Sequence, residues 1–229
     1  MQNKPILTDF HSHILPGADH GSTCDEVSKE QLELLNSVKI GRVVATPHFY
    51  PNEHNIDSFL KRRDAAEARL KKINDNSDIS VLIGAEVLVC ERLEAMPGLE
   101  KLCVKGTKTI LLEMPMTRWS SGLLETVDEI FRGDMIPVMA HIDRYPPKDV
   151  DALFEIGVKA QLNVGSVCRV FGKSNIKRWV ESGQVVALGT DLHGPDKRAC
   201  ANFVKACGIL GDHIDQIMAE TDKLLAKIQ

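Results

Sequence analysis

Short apolar runs alternate with longer stretches of helical periodicity from one end of the chain to the other. Seven runs read as strands, at 5–11, 42–46, 79–86, 109–113, 136–141, 159–163 and 185–190. Helical patterns lie between and after them, at 25–39, 57–74, 122–132, 148–155, 175–181, 195–210 and 212–227. In the first, Val27, Leu32, Leu34, Leu35 and Val38 recur at near-helical spacing, and Thr23-x-x-Glu26 has the form of a capping box. Gly41, Gly133, Gly157 and Gly183 each fall between a helix and the next strand, where a C-cap glycine belongs. Strands alternating with helices imply parallel strands joined by right-handed crossovers. Seven such units predict an α/β fold, either a small TIM-like (β/α)7 barrel or an open doubly wound sheet.

A length of 229 residues fits one domain, 1–229, with a sizeable core. Aromatic residues are only 5% against 43% apolar overall, so that core is expected to be mainly aliphatic. A net charge of −4 with no basic block argues against nucleic acid as a partner. No run of 18 apolar residues occurs and no basic-then-apolar leader precedes the first strand, so the expectation is no membrane insertion and a cytoplasmic location. The six cysteines have irregular spacing and no Cys-x-x-Cys, and are expected to be free thiols. Gly-x-Gly-x-x-Gly and phosphate-loop motifs are missing.

The chemistry-bearing residues gather at the ends of the predicted strands. In Thr8-Asp9-Phe10-His11-Ser12-His13, two imidazoles two residues apart face one side of a strand, about 7 Å apart along it. Pro16, Gly17 and Gly21 then turn the chain and return Asp19 and His20 to the same place. His48 follows the second run, Glu86 and Glu113 end the third and fourth, His141 ends the fifth, and Asp191 and His193 follow the last. Of eight histidines only His54 and His213 lie elsewhere. In a parallel barrel the C-terminal strand ends share one rim. Gathering so many carboxylates and imidazoles there is costly unless a cation binds them. Mixed nitrogen and oxygen donors without a thiolate suit zinc, manganese or iron. Nine candidates exceed the needs of one ion, so two or three divalent ions sharing carboxylates are expected, an arrangement suited to phosphate ester hydrolysis.

These segments, with Thr46-Pro47-His48, Gly84-Ala85-Glu86, Leu112-Glu113, Ala140-His141-Ile142-Asp143-Arg144-Tyr145 and Thr190-Asp191-Leu192-His193, resemble the motifs of the PHP (polymerase and histidinol phosphatase) superfamily. More closely they resemble its bacterial protein-tyrosine phosphatases of capsule and exopolysaccharide synthesis. The resemblance spans essentially the whole chain. It implies a distorted seven-stranded barrel and a three-metal site, often loaded with manganese. It implies that His11, His13, Glu86 and Asp191 hold one ion, that Glu86 bridges to a second held by Glu113 and His141, and that His48, His193 and residue 20 hold a third. The family usually has Asp-Asp-Gly where this chain has Asp19-His20-Gly21, which replaces a carboxylate by an imidazole. Arg144 and Arg198 match positions that contact the phosphate, and a planar guanidinium suits that role.

The resemblance thus implies a metal-dependent phosphatase acting on a phosphotyrosine protein, with a bacterial tyrosine kinase as partner. A small-molecule phosphatase such as one for histidinol phosphate is the first alternative, and a metal-binding regulator with little activity the second. Asp9, Asp143 and Asn163 are candidates for orienting the ligands, Asp9 above all. Tyr50 and Trp119 on rim loops would either stack on an aryl leaving group or serve in packing. No cysteine has an arginine six residues on, and no Gly-x-Ser-x-Gly occurs, which leaves thiol and serine nucleophiles without their motifs.

Overall fold

A computed structural model describes residues 5–75, 77–170 and 174–228. Nine strands are present: β1 (Thr8–Ser12), β2 (Arg42–Ala45), β3 (His48–Phe49), β4 (Ser80–Ile83), β5 (Glu86–Leu88), β6 (Thr109–Glu113), β7 (Ile136–Met139), β8 (Lys159–Asn163) and β9 (Val185–Gly189). All pairings are parallel, in the orders β1-β2-β4 and β3-β5-β6-β7-β8-β9. Nine strands make only seven staves. Thr46-Pro47 alone separates β2 from β3, and Gly84-Ala85 alone separates β4 from β5. Pro47 has no N–H to give to a ladder, so the strand breaks there. Hydrogen bonds from Gly84 N to Ala45 O (2.9 Å) and from Glu86 N to Pro47 O (3.1 Å) carry the pairing across the break.

The remaining gap, between β1 and β9, is bridged by Asp191 N to His11 O (2.8 Å) and His13 N to Leu192 O (3.1 Å). The buried Asp9 carboxylate adds to this seam by accepting from Thr190 N at 2.8 Å and Thr190 Oγ1 at 2.5 Å. Burial pushes Asp9 up to about 6 in spite of these bonds. The staves therefore run in a ring, the distorted (β/α)7 arrangement expected.

Eight helices surround it: α1 (Asp25–Ser37), α2 (Ile56–Ile73), α3 (Ser121–Arg132), α4 (Pro147–Ile156), α5 (Val164–Val170), α6 (Ser174–Glu181), α7 (Lys197–Leu210) and α8 (His213–Leu224). Seven answer to the predicted helical stretches within a few residues, and α5 is additional. Its sequence, VGSVCRV, carries a glycine and two β-branched residues in its first four positions, a composition with weak helical preference. Two expectations are corrected. The N-cap of α1 is Cys24 without a side-chain bond, and Thr23 lies one residue outside, so no capping box forms. Gly41 caps nothing: α1 ends earlier, and Lys39 takes the left-handed turn at φ 65° while Gly41 N already bonds Leu7 O at 3.0 Å.

Two apolar clusters follow from strand alternation. The larger lies between strands and helices. The smaller joins Phe10, Val44, Leu111, Val138 and Ala187 from five staves inside the ring, together with Val104 and Leu225. Leu225 comes from the segment after α8, which closes the N-terminal end of the ring: Thr109 Oγ1 donates to Leu224 O (2.7 Å) and Ile228 N to Gly106 O (2.9 Å). The opposite end is left to polar residues.

Candidate metal centre

That polar end is built from strand termini. His11 and His13 flank the end of β1, His48 and Glu86 open β3 and β5, Glu113 closes β6, and His141 follows β7. Asp191 and His193 follow β9. A bulge in β1 between Asp9 and Ser12 re-aims its side chains, so that Phe10 joins the inner apolar cluster while His11 and His13 reach the rim. His141 (φ 32°) and Asp191 (φ 54°) are held in left-handed conformations unusual for side-chain-bearing residues, and such strain gathers at functional sites. Two glycines let neighbouring chain approach the imidazoles. A Cβ on Gly21 would lie 2.1 Å from His13 Cβ, and one on Gly189 would lie 2.7 Å from His11 Cβ.

Eight of the nine predicted ligands fall into four overlapping groups whose donor atoms lie within 4.8 Å of one another: His13-His48-His193, His11-His13-Asp191, His11-Glu86-His141 and His48-Glu86-Glu113. Glu86 is the centre. Its Oε2 lies 3.2 Å from His11 Nε2, 3.3 Å from His13 Nε2 and 2.9 Å from His48 Nδ1, and its Oε1 lies 2.9 Å from His141 Nε2. Asp191 Oδ1 is 3.6 Å from His11 Nε2 and 3.5 Å from His13 Nε2, and those two nitrogens are 3.1 Å apart. Donors about 2.0–2.2 Å from one ion stand about 3.0–3.5 Å from each other, and this nest has that spacing. Glu86 Oε2 and His48 Nδ1 are buried without a hydrogen-bond partner. Two lone-pair donors facing each other in this way fit a shared cation.

Electrostatics agree. Burial disfavours the Glu86 carboxylate, yet His11, His13 and His141 hold it well below the usual range. Asp191 is likewise held low against burial, by His11, His13 and Arg144. Burial also opposes the His141 cation, but Glu113 and Glu86 push it up to about 9. His193, buried beside the His13 cation, is pushed down to about 4. The carboxylates are thus compensated by protons on imidazoles, a duty that divalent ions take over when ligands bind them.

A surrounding layer fixes the imidazoles. His13 Nδ1 meets Asp19 Oδ2 at 2.7 Å, and the same carboxylate accepts from His48 N at 3.0 Å. Gln161 Oε1 lies 3.1 Å from His11 Nδ1 and accepts from His141 N at 2.7 Å. Tyr145 Oη is 3.3 Å from His141 Nδ1. Each such contact leaves the Nε2 atom free to ligate. Sequence reasoning missed Gln161 and Tyr145. For Gln161 a signal existed: an amide in the middle of an otherwise buried strand needs a polar partner.

The other expected residues are distributed as follows. His20 is exposed and outside the four groups, though its ring is 4.9 Å from that of His48 and 4.8 Å from that of His193. Asp9 ties the seam. Asp143 accepts from Asn163 N (3.0 Å) and from Ser166 Oγ, and Asn163 Nδ2 donates to Asp191 Oδ2 at 3.2 Å. Arg144 also donates to Asp191 Oδ2. Arg144 and Arg198 line one cleft of about 430 Å³ that borders Asp191. Trp119 packs edge-on against Tyr145 at 5.1 Å and donates to Pro115 O, a packing role. Tyr50 stands at the rim with its ring 5.2 Å from His48, and burial with Glu113 and Glu86 nearby pushes its phenol up to about 12.

Comparison with known proteins agrees with this picture. Residues 7–221 match the family described as capsular polysaccharide synthesis, CpsB/CapC. The chain is 26% identical over 239 aligned positions to the tyrosine-protein phosphatase YwqE of Bacillus subtilis, covering 97% of this chain and 92% of that protein. It is 24% identical to CapC of Staphylococcus aureus, covering 84% and 79%. Among solved structures, it is similar at a TM-score of 0.77 and 24% identity to a chain from the crystal structures of YwqE and of CpsB from Streptococcus pneumoniae, described as unique metal-dependent tyrosine phosphatases. That likeness covers 95% of this chain and 94% of the other.

Proposed function

The chain belongs to the CpsB/CapC family of capsular polysaccharide synthesis, and from that premise we propose that it is a metal-dependent phosphatase hydrolysing phosphotyrosine in protein. The observation that carries this reading is the Glu86-centred nest of imidazoles and carboxylates at metal-ligand spacing. The names of its relatives support the substrate class. His11, His13, Glu86 and Asp191 would hold one ion, and Glu86, Glu113 and His141 a second. His48 and His193 would hold a third, with His20 turning in from its exposed position to complete it. Mixed nitrogen and oxygen donors suit manganese, with iron or zinc as alternatives. When bound, such ions supply a water nucleophile at neutral pH and neutralise phosphoryl charge.

The chain's own side chains do the rest. Arg198 and Arg144, the latter drawn from Asp191, grip the outer phosphoryl oxygens, where charge-assisted bonds strengthen in the transition state. Tyr50, kept protonated near neutral pH, gives the aryl ring an uncharged wall beside His48. No cysteine is needed: burial pushes the Cys103 and Cys200 thiols up to about 12 and Cys207 to about 11, far from the thiolate range. We further propose a single working domain, a cytoplasmic location and a tyrosine kinase of capsule synthesis as substrate. The free cysteines and the lack of a membrane-length apolar helix among the described residues are consistent with that location.

The test removes metal with a chelator, measures metal content, restores manganese, and follows hydrolysis of phenyl phosphate, a phosphotyrosine peptide and histidinol phosphate. Stripped protein should be inactive, restored protein active on the aryl esters, and iodoacetamide without effect. Full activity without metal overturns the reading, and preference for histidinol phosphate replaces it with the small-molecule alternative.

A further inference from the structure

The cleft beside Asp191 holds more positive charge than one phosphoryl group needs. Three guanidiniums line it, from three elements: Arg144 after β7, Arg169 in the last turn of α5, and Arg198 in the first turn of α7. The carboxylates that share the cleft are already engaged. Asp143 accepts from Asn163 N and Ser166 Oγ. Asp196 caps α7 by accepting from Arg198 N at 2.8 Å and Ala199 N at 3.2 Å. Asp191 serves the metal nest and Arg144. Among the described residues, Arg169 and Arg198 form no ion pair. Arg169 is exposed, and no mechanistic role has used it.

Its position is defined. Asn163, at the foot of α5, bonds Asp191, and Arg169 lies six residues further on, about 9 Å along a helix at 1.5 Å per residue. Gly165 packs α5 closely on α7, where a Cβ would be 3.8 Å from Asn202 Nδ2, and Cys168 Sγ donates to Asn202 O at 3.4 Å. These contacts hold the Arg169 end of the cleft in register with the Arg198 end. About 9 Å is the span of roughly three residues of extended peptide. The protein is acidic overall, at −4, so an acidic peptide is attracted only by a local array such as this one.

We propose that Arg169 is a specificity residue: it receives the carboxylate of an acidic side chain two or three positions from the phosphotyrosine, while Arg144 and Arg198 hold the phosphoryl group. This rests on the phosphotyrosine reading above. The substrate class it selects is acidic-flanked phosphotyrosine peptide.

The experiment uses the manganese-loaded full chain with three phosphotyrosine peptides, carrying glutamate, glutamine or a second phosphotyrosine at the flanking positions, and phenyl phosphate as the reference. Wild type should favour the glutamate over the glutamine peptide in kcat/KM by about 3- to 10-fold, as befits one partly exposed charge pair, and less so in high salt. Arg169→Gln should bring that ratio to about one, Arg169→Lys should keep part of it, and both should leave phenyl phosphate hydrolysis unchanged. An equal loss on phenyl phosphate makes Arg169 a phosphoryl ligand and overturns the proposal. So does a wild type indifferent to glutamate, or one that favours only the second phosphotyrosine. A wild type inert on phenyl phosphate and on all three peptides sinks the phosphotyrosine reading itself, a different failure.

Discussion

A single amide oxygen does much of the orienting at the metal rim. Gln161 Oε1 meets His11 Nδ1 and His141 N, while its Nε2 donates to Asn163 Oδ1 at 2.9 Å. It thereby fixes the ring plane of one ligand and the backbone of another on a neighbouring stave. Gln161→Leu keeps the volume and removes the acceptor, leaving a buried His141 N–H unpaired. Manganese affinity, measured by competition with a metallochromic chelator, should fall about 10- to 100-fold. An unchanged affinity would mean that packing alone orients His11. The left-handed His141 is strained for the same reason that Gln161 is needed: its side chain must turn back towards Glu86 immediately after β7 ends.

The elements divide the molecule into a closed end and an open one. At the closed end Leu225 fills the ring beside Val104 and Phe10. Leu225→Ala should lower unfolding free energy in urea by about 2–3 kcal/mol while leaving metal content unchanged, since no ligand touches it. A loss of metal would show that the two ends are coupled. Most of this architecture was legible in the sequence. Apolar runs ending in His, Glu or Asp announced both the strands and the rim, because a parallel ring puts all those ends together. The breaks at Thr46-Pro47 and Gly84-Ala85 were not legible, since the apolar run from Ile79 to Ala85 continues through the second of them. The helix α5 was hidden by its glycine and valines; it forms through packing on α7 rather than by propensity. The exposure of His20 was also beyond the reach of spacing, because a four-residue loop between Pro16 and Gly21 has many conformations that all return near β1.

At the scale of the whole molecule, the price of the open end is a concentration of like charge. Glu86, Glu113 and Asp191 crowd one rim, and the metal-free protein compensates them with imidazole protons. Any ion bound there stabilises the folded state by mass action, by about 2.7 kcal/mol at a hundredfold excess over Kd. For a chain of this size that is a rise of about 5–10 °C in Tm. Calorimetry with and without manganese checks it, and an unchanged Tm in protein that demonstrably binds metal would mean that the unfolded chain binds as well. The crease in the second and third staves has another consequence. Below it these staves pair with β1, and above it with β6. In an unbroken strand, inserting one residue turns every following side chain to the wrong face. Here an added or lost residue at Pro47 or Ala85 is absorbed in backbone that already departs from the ladder. The alternation of the lower ring is untouched, so descent with small insertions can reset the mouth of the barrel while its base keeps the ancestral frame.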